Sequence, residues 1–396
     1  MAEVPNNLIE RADDRGQCRH GLEQAFRPGR MLKACKRCCL EISRRTGVDR
    51  LVTDSRWRRQ RFPILCFHGV STGDEHECYP NFFLTPGMFR AKLQLLRDLD
   101  ANVLPLEEAL RRVESGALPE RAVVLTIDDG FYGAFRVGAP ILAEFGYPAT
   151  VYLTTHYIHH RRPVFDNMCG YLLWKSYGRE LTWDGLLTQP VVLGPDTRAE
   201  VQDAIERFAA VRRFGSEEKD ALLASLAGRL GIDYEALRRQ RMLHLVNPDE
   251  MRSWPNVDFQ LHTHRHRMSH NRTVLRQSIQ RNAEELRRIT GRVCRHLAYP
   301  GGTYSAEHPE WLRELGIESA ATCETGFVNA NSSPLLLPRV MDTSNFSMAE
   351  VASWVTGVAG LFPHRKYPID ETQFEGEEAL PVSRPRTLAA AAGARP

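Results

Sequence analysis

The 396-residue chain has no apolar run long enough to cross a bilayer, and no N-terminal stretch joining a basic head to an apolar segment and a small-residue cleavage site. Both absences set the expectation of a cytoplasmic protein. It also has little net charge. The 52 Lys and Arg against 49 Asp and Glu leave +3, so the chain as a whole gives no electrostatic reason to expect a nucleic-acid partner. A disulfide framework is missing from the pattern as well: nine cysteines are an odd number and, without a secretory leader, read as reduced thiols. Cys35 and Cys38 form a C-x-x-C near Cys18, His20 and Cys39, but a zinc site there would want a second, clearer pair. No internal repeat is visible. What is present is ample core material, 42% hydrophobic residues, in a length that suits two average domains or one large α/β domain with additions.

Two short segments carry chemistry. Asp128 and Asp129 end an apolar run (Ala122 to Ile127), and His262 and His266 stand four apart just after another (Val257 to Leu261). Neighbouring side chains of a strand point to opposite faces, so the two carboxylates can share a pocket only where the strand ends in a turn, which Gly130 supplies. Two equal anions held close together also repel, and a cation or proton must neutralise one of them. Asp129 with the two imidazoles is a borderline-soft donor set that suits zinc, with cobalt, iron or nickel as substitutes. Three protein ligands leave coordination positions open, as a catalytic site needs. A water there would have its pKa lowered from ~15.7 towards ~7, and unligated Asp128 can take its proton.

At these residues the chain resembles the polysaccharide deacetylases, the NodB-homology carbohydrate esterases that remove acetyl groups from glycans. The family's Thr-Phe-Asp-Asp-Gly segment is matched by Thr126-Ile127-Asp128-Asp129-Gly130, and its His-Ser/Thr-x-x-His by His262-Thr263-His264-Arg265-His266. The resemblance implies Asp128 as general base, Asp129, His262 and His266 as metal ligands, and Thr263 as a brace for their loop. Leu297-Ala298-Tyr299-Pro300-Gly301-Gly302 is similar to the Phe-Ala-Tyr-Pro-Tyr-Gly form of the poly-N-acetylglucosamine deacetylase branch. It implies Gly301 as an N–H donor to the oxyanion, with Tyr299 and Pro300 on the substrate side. Many relatives carry an arginine two residues before that proline, where this chain has Ala298; Arg339, in Leu337-Pro338-Arg339-Val340, is the candidate for orienting the base. Ile64 to Val70 looks like the branch's early Tyr-His segment and makes His68 the candidate general acid, an imidazole whose unperturbed pKa of ~6.5 suits proton delivery near neutral pH.

Other readings stand beside these. An Asp-Asp-Gly alone is most often a turn. His264 and His270 read as exposed or supporting, His156, His159 and His160 as loop, and His364 as surface. A glycan-binding pseudoenzyme of the same fold is the alternative, motivated by the arginine missing at position 298. An iron oxygenase also uses two histidines and a carboxylate, but its carboxylate normally lies two residues after the first histidine, where this chain has His264.

Strand-like runs (Ile64 to Phe67, Val123 to Ile127, Ala149 to Leu153, Val257 to Leu261, Val293 to Ala298, Ser319 to Ala321) alternate with helical stretches, which predicts a parallel sheet with crossover helices. The motifs fall at strand C-termini, as in a barrel, and the resemblance implies a distorted (β/α) barrel of about seven strands over 62–362. Charged helical stretches over 161–247 read as an insertion near the mouth of the site. Residues 1–61 read as a partly helical extension whose Arg27 to Arg61 stretch is basic. Packing of that stretch on the main domain is favoured over contact with an anionic membrane surface. The tail 363–396 reads as disordered. The predicted partner is an acetylated glycan or glycolipid. Because polymers of this kind lie outside cells, a cytoplasmic enzyme would act on a lipid-linked or soluble precursor.

Overall fold

The computed structural model describes residue 40 and residues 46–362, apart from Pro255. Cys18, His20, Cys35, Cys38, Cys39, His364, the C-terminal tail and most of the basic extension lie outside the described residues. Seven parallel strands carry the architecture: β1 (Ile64–Phe67), β2 (Ala122–Asp129), β3 (Ala149–Leu153), β4 (Val257–Leu261), β5 (His296–Ala298), β6 (Ser319–Ala321) and β7 (Val340–Met341). Their order is β6-β5-β4-β3-β2-β1-β7, and a short strand, Asn102–Leu104, pairs with the first half of β2. The ends of this row meet. Leu337, just before β7, donates its N–H to Ala320 O (2.8 Å), and Thr322 donates back to Leu337 O (2.9 Å), so the sheet curls into a barrel.

β1, β3 and most of β2 read as nearly unbroken apolar runs because both of their faces are covered. Leu65, Phe67, Val123, Leu125, Ile127, Val151 and Leu153 pack outward against the helices. Ile64, Val124, Tyr152, Ala298, Ala321 and Leu337 form a second, inner cluster that fills the barrel. Arg58 closes the N-terminal end. It is fully buried and donates to Val355 O (2.9 Å), Arg61 O (2.6 Å) and Ala122 O (3.1 Å). The described part of the basic extension, helices Val48–Thr53 and Arg56–Arg59, therefore packs on the barrel and on helix Met348–Thr356.

Between β3 and β4, helices Phe165–Lys175, Arg198–Val211, Ser216–Arg229 and Tyr234–Gln240 occupy the segment read as an insertion. Its end is stitched to the turn after β2: Tyr132 donates to His244 O (2.8 Å) and Val246 to Gly130 O (3.0 Å).

Helix Pro86–Asp98 is tied to the opposite rim by a buried ion pair. Lys92 donates to Asp342 and to the carbonyls of Thr343 and Phe346 (3.0 Å each). Burial pushes the Asp342 carboxyl up to about 6 although Lys92 draws it down, and its Oδ2 has no hydrogen-bond partner. An acid whose pKa is raised on folding binds more protons folded than unfolded, so its contribution to stability declines as pH rises from about 4 to about 6. Denaturant titrations at pH 4.5 and 7 are expected to show this decline in the wild type and to lack it in Asp342→Asn.

Candidate metal centre and base

Thr126 and Asp128 share the inner face of β2, two residues apart, so the Asp128 side chain enters the barrel. Asp129 would face outward if the strand continued. Instead its φ is 67° and that of Gly130 is 81°, so the turn begins at Asp129 itself and swings its carboxylate to the mouth. Only glycine fits at 130, because a Cβ there would run into the Leu153 side chain. Thr263 (φ 60°) and His266 (φ 57°) adopt the same left-handed conformation, which costs a non-glycine residue roughly 1–2 kcal/mol and persists where the surroundings enforce it.

These turns bring Asp129, His262 and His266 together, with one donor atom of each within 4.8 Å of the others. Asp129 Oδ1 lies 3.3 Å from His262 Nε2 and 3.1 Å from His266 Nε2. His262 Nδ1 is 2.8 Å from Ala298 O, a contact that requires the proton on Nδ1 and leaves the Nε2 lone pair aimed at the trio. Asp129 Oδ1 is buried and accepts no hydrogen bond. An unpartnered carboxylate oxygen facing an imidazole lone pair is a poor arrangement by itself and a good one around a divalent cation, so the residues fit such an ion.

Asn282, on helix Arg272–Thr290, holds His262 in place. It accepts from His262 N (3.0 Å) and donates to Leu153 O (3.0 Å) and Thr155 Oγ1 (3.1 Å) while fully buried. The sequence reading missed it. The available signal was an asparagine on the buried stripe Leu275, Ile279, Leu286, Ile289. Asn282→Ala should lower cation affinity about 10–100-fold, as loss of supporting partners does, with a measurable loss of stability. Calorimetric titration with zinc beside thermal unfolding checks both.

Beneath the trio, Asp128 and Arg339 form a bidentate pair, Nη1 to Oδ1 at 2.7 Å and Nη2 to Oδ2 at 2.8 Å. Arg339 enters from just before β7, donates Nε to Thr322 O (2.9 Å), and lies over the Tyr152 ring; both members of the pair are buried. Burial alone would raise the Asp128 carboxyl, but Arg339, His262 and His68 outweigh it and hold it below its ordinary value. Position 298 is alanine, and it is Arg339 that pairs with both oxygens of Asp128.

His68 follows β1 and faces the same charges, with Nδ1 buried and unpartnered and its ring edge-on to Phe82. Burial pushes its imidazole down, and the nearby carboxylates only partly offset this, so it departs from the unperturbed value expected of it. Gly301 lies exposed on the loop after β5 at φ 61°, and Gly302 beside it packs against Cys323. Tyr299 does not offer substrate surface. It is fully buried, with its hydroxyl donated to Leu335 O (3.0 Å), and Pro300 is buried beside it. Thr263 is buried too, and its Oγ1 accepts from Arg267 N (3.0 Å) across the ligand loop. His264 is buried rather than exposed, its Nδ1 3.0 Å from Thr155 Oγ1, whereas His270 is exposed.

Residues 241–320 match the family model described as Polysaccharide deacetylase, a stretch that includes His262, His266 and the Pro300 loop. Over that segment the chain is similar to the polysaccharide deacetylases. It is 29% identical over 100 residues to the poly-beta-1,6-N-acetyl-D-glucosamine N-deacetylase of Staphylococcus epidermidis, an alignment covering 25% of this chain and 34% of that protein. It is 26% identical over 102 residues to YxkH of Bacillus subtilis, covering 26% of this chain and 34% of that protein. The chain thus spans about a third of the length of the curated relatives it matches. Among solved structures, the deacetylase PplD of Streptococcus pyogenes, in complex with acetate, superposes with a TM-score of 0.51 at 18% identity, covering 74% of this chain and 98% of that one. The chain therefore shares the fold of PplD.

Proposed function

We propose that the protein is a metal-dependent hydrolase that removes acetyl groups from N-acetylated sugars, in a glycan or a glycan precursor. The observation that carries this reading is a carboxylate held ionised by Arg339 directly beside a trio suited to a divalent cation. Zinc is the first choice of ion, with cobalt, iron or nickel as substitutes. When bound, the cation supplies Lewis acidity, which polarises an acyl oxygen and makes a water acidic near neutral pH. Asp128 accepts the proton that the attacking water releases, and Arg339 keeps its two oxygens oriented for that task. Gly301 N–H is the candidate donor to the developing oxyanion. Burial pushes the His68 imidazole down, so in this scheme the proton that Asp128 takes from the water passes on to His68, which delivers it to the departing nitrogen. Oxygen joins the acetyl carbon, the carbon–nitrogen bond breaks, and one proton moves from water to amine.

The pseudoenzyme alternative drew on the missing motif arginine, and Arg339 removes that motive. Acetate release from N-acetylglucosamine oligomers and from N-acetylglucosaminyl lipids tests the proposal. Release from either supports it and ranks the substrates. Tight glycan binding by the cation-loaded protein with no release from any of them would transfer support to the pseudoenzyme.

A further inference from the structure

Arg265 and Arg267 flank the ligand His266, and both are exposed. Among the described residues neither is engaged in an ion pair or donates a side-chain hydrogen bond. By contrast, Arg288 is paired with Glu285, Arg162 with Glu217 and Arg272 with Glu314. The ligand loop is stitched to the loop after β3 by His156 N to His264 O (2.8 Å) and Thr154 Oγ1 to Thr263 O (3.0 Å). This sets Tyr157 and His156 against the arginines. The charges of Arg265 and Arg267 both act on Tyr157, and those of Arg265 and Lys219 act on His156. The carboxylate acting on Tyr157 is Asp166, while Glu285, which acts on neighbouring His264, is already held by Arg288 and His159. One side of the metal centre is therefore a cationic rim with an aromatic wall, beside an opening meant for a sugar.

We propose that the acetylated sugar carries an anionic group, a phosphate or a carboxylate, that lies against Arg265 and Arg267 beside the metal trio. The inference rests on the deacetylase reading for the identity of the sugar. Guanidinium groups match both anions with paired charge-assisted hydrogen bonds, and two uncommitted guanidiniums at one rim can grip a group that a neutral oligomer lacks. A phosphate would come from a lipid-linked or nucleotide-linked sugar, and a carboxylate from a neighbouring uronic acid.

Calorimetry on the full chain carrying Asp128→Asn, which needs no turnover, separates this inference from the reading it rests on. The ligands are N-acetylglucosamine 1-phosphate, an N-acetylglucosamine–glucuronate disaccharide and the neutral N-acetylglucosamine disaccharide. At least one anionic ligand is expected to bind about tenfold or more tighter than the neutral one, with the advantage lost in Arg265→Gln/Arg267→Gln. The arm with the larger advantage identifies the source of the charge. Equal affinities for all three ligands, or an advantage that survives the double substitution, would overturn the inference. Should the double variant fail to fold, salt titration of the parent decides: an advantage that weakens with added salt supports the exposed arginines, and one indifferent to salt overturns them.

Discussion

Arg339→Met is expected to destabilise the protein by about 3–5 kcal/mol, because it leaves the buried Asp128 carboxylate without a counter-charge. In the wild type, Arg339 leads the charges that outweigh burial and depress the Asp128 pKa. That depression contributes stability above the ordinary carboxylate range and loses it as pH falls. Without the arginine, burial acts largely unopposed and the carboxyl titrates higher, so the variant is penalised most where Asp128 is ionised. The gap between wild type and variant should therefore narrow as urea titrations move from pH 7.5 to pH 5. Arg339→Met/Asp128→Leu should recover much of the loss, since an apolar replacement of both partners leaves no orphaned charge. A single variant as stable as wild type at pH 7.5 would mean that the pair is not the buried anchor described above.

Asp128→Asn is expected to lower kcat for acetate release by about 10²–10⁴-fold, the range associated with a positioned general base. It should leave zinc affinity within a few-fold of wild type, because Asp129, His262 and His266 form the trio and Asp128 is held by Arg339 instead. Asparagine keeps the shape and can still accept one hydrogen bond from the guanidinium. Loss of zinc binding together with activity would place Asp128 among the ligands and contradict the division of roles.

Much of this architecture was legible in the chain. β1, β3, β4 and β6 run over the residues that the strand-like stretches marked; β1 and β3 do so as continuous hydrophobic runs covered on both faces, whereas Asp258, Gln260 and Ser319 interrupt β4 and β6. β7 did not announce itself. It has two residues, it follows Pro338 and Arg339, and only its pairing with Leu65 and Cys66 makes it a strand. The strand Asn102–Leu104 is likewise short and lacks a fully buried face. At the site, the motifs located Asp128, Asp129, His262 and His266 because metal and base chemistry demands particular donors. Supports such as Asn282 and the Ala298 carbonyl are visible only once the fold brings distant segments together. Tyr299, taken for substrate surface, is core, since conversion of its hydroxyl into a tether for Leu335 depends on a neighbour 36 positions away.

The most direct test of the central claim is acetate release from an N-acetylglucosamine substrate by chelated protein, followed as zinc or cobalt is added back. The account predicts loss of release on chelation and recovery that saturates near one ion per chain, with His262→Ala failing to recover at that ratio. Release that persists after complete chelation, or that returns equally in His262→Ala, would contradict it.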